Sequence, residues 1–76
     1  MRVCDLAEKD VKIGLRVRAW TGHLGTIVSV EIIRNMPHIR TKWDDGVYSI
    51  MKPYKDSAAE VIGCIDDYFV ISKRKQ

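Results

Sequence analysis

Apolar and polar positions alternate from Val11 to Ala19. Val11, Ile13, Leu15, Val17 and Ala19 are interleaved with Lys12, Gly14, Arg16 and Arg18. A period of two belongs to a strand with one buried face, so this run predicts a first strand that exposes Arg16 and Arg18. Gly14 inside it marks a bend or bulge where the regular strand begins. Trp20 to Gly25 reads as a loop that turns on Gly22 and Gly25. Thr26 to Ile33 is dense in β-branched residues and predicts a second strand. Val28, Val30 and Ile32 share one face of it, and Ile27, Ser29, Glu31 and Ile33 the other. A bulge midway would exchange the two, which leaves the inward face open.

Arg34 to Pro37 breaks the run, because Pro37 has no N–H for a ladder. Ile39, Thr41 and Trp43 alternate with His38, Arg40 and Lys42, which predicts a third strand. Asp44-Asp45-Gly46 is a tight turn in which the carboxylates accept backbone N–H groups. Val47 to Ile50 is the expected fourth strand, ended by Lys52-Pro53. Ser57 and Glu60 have capping-box spacing and predict a short helical turn through Ile62, stopped by Gly63. Tyr68 to Ile71 completes the set as a fifth strand. Residues 1–10 are weakly specified, 11–72 form the domain, and 73–76 are a basic tail. The expectation is an all-β domain: a five-stranded antiparallel barrel with one short helical turn. Closure would remove exposed strand edges, whereas an unclosed edge would favour self-association.

A chain of 76 residues makes one thin-cored domain, and a deep catalytic pocket would come at the expense of that core. The expected role is therefore binding, not catalysis. Thirteen Lys and Arg against ten Asp and Glu give a net charge of +3, which tolerates an anionic partner without demanding one. Cys4, Cys64, His23 and His38 show no metal-ligand spacing, so no metal or other cofactor is expected. Two distant cysteines, no leader-like apolar run at Met1–Asp5 and no membrane-spanning stretch point to a cytoplasmic protein with reduced thiols.

Gly14 to Val17, then Gly22-His23-Leu24-Gly25-Thr26-Ile27-Val28, then Trp43-Asp44-Asp45-Gly46 form a series that resembles the SH3-like barrels grouped around KOW, Tudor and MIB/HERC2 domains. The resemblance covers about half of the chain. It implies a small barrel that binds a macromolecular partner. A Tudor-like reading further implies an aromatic cage, with Trp20, Trp43 and Tyr48 as its candidate walls.

Two binding surfaces compete. Arg16, Arg18, Arg40 and Lys42 fall on the polar faces of two strands. If contiguous and edged by Trp20, they would suit a nucleic-acid backbone. The same face would also arise in any small sheet protein, with Glu31 pairing Arg40 or Lys42. The alternative is a protein-interaction or regulatory module that uses the Trp20 and Tyr48 surface. Charges split by Glu31, Asp44 and Asp45 would favour that alternative.

Overall fold

The computed structural model describes residues 1–65. Its centre is an antiparallel sheet of five strands: β1 (Leu15–Arg18), β2 (Leu24–Ile33), β3 (Met36–Trp43), β4 (Lys52–Pro53) and β5 (Glu60–Cys64). They lie in the order β4-β3-β2-β1-β5. Single 3₁₀ turns occur at Val3–Asp5, Glu8–Asp10 and Tyr54–Asp56. The strand expected at Tyr68–Ile71 and the basic tail lie outside the described residues.

The first three strands follow the alternation. Gly14 takes a φ of +99°, and regular pairing starts at Leu15. Leu15 and Val17 are buried while Arg16 and Arg18 point to the opposite face. In β2 the register against β3 shifts between Ile27 and Ser29, so Val28 is an extra residue. The bulge switches the parity: Ile27 faces the core before it, and Val30 packs against the core after it.

The break between β2 and β3 is shorter than the sequence suggests. Only Arg34 and Asn35 form the turn, both at positive φ (52° and 65°), and Met36 and Pro37 already belong to β3. Paired positive φ values are those of the tight hairpin turn whose twist matches the strands. The first pair beyond such a turn, Ile33 with Met36, is the hydrogen-bonded kind, so Ile32 with Pro37 is not. Pro37 therefore costs the β2–β3 ladder no hydrogen bond.

Two further expectations are corrected. Val47 to Ile50 makes only one isolated bridge, between Lys42 and Tyr48, and the fourth strand is Lys52–Pro53. Glu60–Cys64 is strand, not helix. Val61 pairs with Val17 and packs on the core, and this tertiary pairing outweighs a capping-box spacing followed by only a few residues and a glycine. The one-turn helical piece in this region is Tyr54–Asp56.

The barrel itself is also corrected: the sheet is open. β4 and β5 stand at opposite ends of the strand order and do not pair. β4 is only two residues long, and one of them is proline, so it offers little ladder for closure. Irregular chain stands there instead. Val3 N–H donates to Ala59 O (2.9 Å), Cys4 N–H to Ser57 O (3.1 Å) and Val61 N–H to Met1 O (2.7 Å). An SH3-like barrel is thus not the architecture of this chain.

The core joins Val3, Val11, Leu15, Val17, Ile27, Ile39 and Tyr54. Tyr54, fully enclosed, donates its hydroxyl to Leu6 O at 3.0 Å, which gives its one polar atom a partner. Val3 is also fully enclosed, so the N-terminal segment contributes to the core although its local pattern is mixed.

Candidate functional site

β1 and β2 are joined by residues 19–23, with Trp20-Thr21-Gly22 at the tip. Ala19 N–H donates to His23 O and Gly22 N–H donates to Ala19 O, both at 2.8 Å. Gly22 closes the loop at φ +93°, a conformation glycine adopts without a Cβ penalty. Thr21 Oγ1 and His23 Nδ1 lie 2.8 Å apart and tie the tip further. The outcome is a fixed hairpin tip that holds Trp20 outward, 94% exposed.

The loop after β3 repeats this construction. Trp43 N–H donates to Val47 O and Gly46 N–H to Trp43 O, again both at 2.8 Å, with Gly46 at φ +95°. Asp45 Oδ1 accepts from Val47 N–H at 3.0 Å, as expected of an aspartate in a turn. Asp44 does something different and turns to Arg16.

The two tips are neighbours. A cleft of about 290 Å³ runs between them, lined by Thr21 and His23 on one side and Asp45 and Val47 on the other. A second cleft, about 210 Å³, has both Trp20 and Trp43 in its walls. Ser49, Lys52, Asp56 and Ser57 supply its polar groups, and Ala19, Ala58 and Ala59 keep part of it apolar and shallow-walled. Trp43 is half-buried and rests on the core, so one wall is fixed by packing and the other by its hairpin. A third, wider trough of about 530 Å³ lies on the other flank of Trp20, among Arg2, Asp5, Arg18 and Glu60. Its lining is charged, with Arg18 and Glu60 paired, which suits a ligand less well than the two-tryptophan cleft.

Arg16, Arg18, Arg40 and Lys42 do share one face of the sheet. Arg16 stands beside Thr26, and Thr26 beside Lys42, in one row across β1, β2 and β3. Two of the four charges, those of Arg16 and Arg18, are met by carboxylates. Arg16 Nη1 and Nη2 donate to Asp44 Oδ1 and Oδ2 at 2.8 and 2.9 Å, and Nη1 also donates to Thr26 Oγ1 at 2.8 Å. Arg18 pairs with Glu60 across the β1–β5 edge. Lys42 Nζ lies 5.6 Å from the centroid of the Tyr48 ring. Arg40 stands opposite Ser29, and Glu31 stands opposite His38, not beside Arg40 or Lys42 as the sequence suggested.

These pairs shift the carboxylates in the expected direction. The hydrogen bonds from Arg16, aided by its charge, hold the Asp44 carboxyl below the ordinary aspartate value. Arg18 does the same to Glu60, first by its hydrogen bond and then by its charge. Asp44 in turn raises the Arg16 guanidinium, which stays protonated throughout.

Tyr48 is 56% exposed and bridges Lys42, so it belongs to the arginine face and borders neither cleft beside Trp20. The three aromatic walls implied by a Tudor-like cage therefore do not converge. The residue that joins Trp20 is Trp43, which the alternation placed on the inner side of β3. The sequence offers Asp44 as a residue that splits the basic face, but not its pairing with Arg16, 28 residues away, and it misses Glu60, 42 residues from Arg18.

Both cysteines are half-buried, Cys4 in the first 3₁₀ turn and Cys64 at the end of β5. Among the described residues no three His, Cys, Asp or Glu side chains gather to hold a metal ion, and no helix is long and apolar enough to cross a membrane. Comparison of the chain with protein-family models, with curated proteins and with solved structures found no match in any of the three.

Proposed function

We propose that this chain is a non-enzymatic protein-interaction module whose Trp20–Trp43 cleft seats an extended segment of a partner protein. The observation that carries this reading is Trp20 itself. A tryptophan 94% exposed presents a large apolar area to water, on a hairpin tip whose backbone is tied by hydrogen bonds. Such rigid aromatic anchors dominate the energetics of protein interfaces. Trp43 supplies the facing wall, and Ser49, Lys52 and Asp56 supply polar groups that can fix the direction of a bound backbone.

The charge pattern supports the same choice between the two surfaces. Asp44 and Glu60 engage the two arginines of β1, so a phosphate would have to displace a bidentate carboxylate to reach Arg16. Salt-steered attraction of a nucleic-acid backbone is weakened in proportion.

The test is a selection of random peptides displayed against the intact chain, followed by mapping of the enriched sequences on backbone amide resonances. The reading expects perturbations centred on Trp20, Trp43, Ser49 and Ala58, and affinities that change little with salt. Perturbations confined to Arg16, Arg40 and Lys42, with steep salt dependence, would overturn it.

A further inference from the structure

β2 is the longest strand, and its two edges are treated differently. On one side it pairs with β3 from Gly25 to Ile33. On the other, β1 pairs only with Leu24, Gly25 and Thr26, and Gly14 N–H donates to Ile27 O at 2.8 Å. Beyond Ile27, among the described residues, no backbone bond reaches this second edge. Ile33 with Met36 is a hydrogen-bonded pair, so Glu31 also bonds towards β3. The N–H and C=O groups of Val30 and Ile32 therefore point away from β3, along the open edge. Ile32 is 66% exposed, and Val28 to Ile33 include neither lysine nor proline, the usual guards of an edge strand.

The end of β5 stands where this opening starts. Ile65 N–H donates to Gly14 O at 2.7 Å, and Gly14 in turn donates to Ile27, so the three residues form one row across the sheet. Ile65 and Val28 line the same cleft. β5 is antiparallel to β1, and β1 to β2, so β5 runs in the direction of β2. Continued in that direction, a chain leaving Ile65 passes along β2 from Ile27 towards Ile33.

We propose that the segment Tyr68-Phe69-Val70-Ile71 of the same molecule takes this edge, parallel to β2 and opposite Val30 to Ile33. The reach fits. Neighbouring strands lie about 4.8 Å apart, and the three residue steps from Ile65 to Tyr68 extend to about 10 Å. That is enough to step sideways past Gly14 and advance to Val30. The lengths match, at four residues each. The composition fits as well: all four residues are uncharged strand formers, and the polar run Ser72-Lys73-Arg74-Lys75 follows them. In a parallel ladder, alternate residues of a strand bond to one neighbour, which is the role left open for Val30 and Ile32. The pairing makes β2 a central strand along its whole length. It does not rest on the Trp20 cleft, which lies at the other end of β2, beyond its first residue Leu24.

Amide hydrogen exchange of the intact chain, read residue by residue, tests this. Val30 and Ile32 are expected to be protected together with Glu31 and Ile33, and equally so at every protein concentration. Backbone nuclear Overhauser contacts are expected between Val30–Ile33 and Tyr68–Ile71 in the parent chain, so the placement is read even where a variant fails to fold. Adjacent strand residues turn their N–H groups to opposite sides, so at least one of Phe69→Pro and Val70→Pro removes a rung. That variant should exchange Val30 and Ile32 about 10-fold faster or more, and leave Glu31 and Ile33, which bond to β3, unchanged. Any of four results would overturn the proposal: fast exchange of Val30 and Ile32 in the parent; no Overhauser contact between the two segments; protection that survives both prolines; or protection that appears only as concentration rises, which would give the edge to a second copy.

Discussion

Both carboxylate oxygens of Asp44 accept hydrogen bonds from the guanidinium of Arg16, at 2.8 and 2.9 Å, across 28 residues of sequence. The pair ties β1 to the loop that follows β3, over the top of β2. It also takes charge from the face that the sequence offers as basic, and Arg18 with Glu60 repeats the effect at the β5 edge. The same contacts thus hold strands together and withdraw two arginines from outside partners.

Stability should fall in acid through these two carboxylates. Their pKa values are lowered by folding, so the unfolded chain binds protons first as the pH drops. Their contribution is complete above the ordinary carboxylate range and is lost as the pH falls through it towards the lowered folded values. Asp44→Asn should melt below the parent at neutral pH, with the difference shrinking in acid and in high salt. Melting curves across pH for both chains check this. A difference that stays constant in acid would remove the Arg16–Asp44 pair as its cause.

Gly25→Ala should be destabilising by roughly 1–3 kcal/mol through overpacking. A Cβ there would stand 2.6 Å from Trp43 Cε3 and 2.8 Å from Thr41 Cγ2, closer than real contacts allow. Urea unfolding should show a lower midpoint with an unchanged slope. Because Trp43 must yield, its fluorescence in the folded state should change as well.

Val3→Ala should cost roughly 2 kcal/mol. Two buried methyl-sized groups are lost at about 0.8 kcal/mol each, and the fully enclosed site leaves a cavity. The same urea measurement reads it. A change within about 0.5 kcal/mol, as at a surface position, would mean that the N-terminal segment does not hold its place in the core.

Much of the sheet is legible in the sequence because its signals are local. Gly14 punctuates the start of β1, and alternation puts Leu15 and Val17 inside and Arg16 and Arg18 outside. The possibility of a bulge in β2 is readable as well, and Val28 is where it falls. What escapes is long-range. Whether five strands close depends on pairing between the two edge strands, β4 and β5, and periodicity carries no record of a two-residue β4 or of Val3 reaching Ala59. Ser57 and Glu60 misdirect for the same reason: their spacing is a local helix signal, while Val61 is recruited by Val17 forty-four positions earlier. At the site, loop position makes Trp20 prominent in the sequence, and the structure gives it a 94% exposed surface. Its neighbour in the cleft is Trp43, not Tyr48. That depends on the parity of β3 and on two hairpin tips meeting, which only the folded arrangement supplies.

The most direct measurement is the affinity of a peptide selected on the parent chain for Trp20→Ala. Trp20 touches little of its own fold, so the variant should unfold within about 0.5 kcal/mol of the parent. Its affinity for the peptide should fall by about 30-fold or more, the loss of a single interface anchor worth at least about 2 kcal/mol. Equal binding by the two chains, at matched stability, would contradict the assignment of the Trp20–Trp43 cleft as the place where a partner binds.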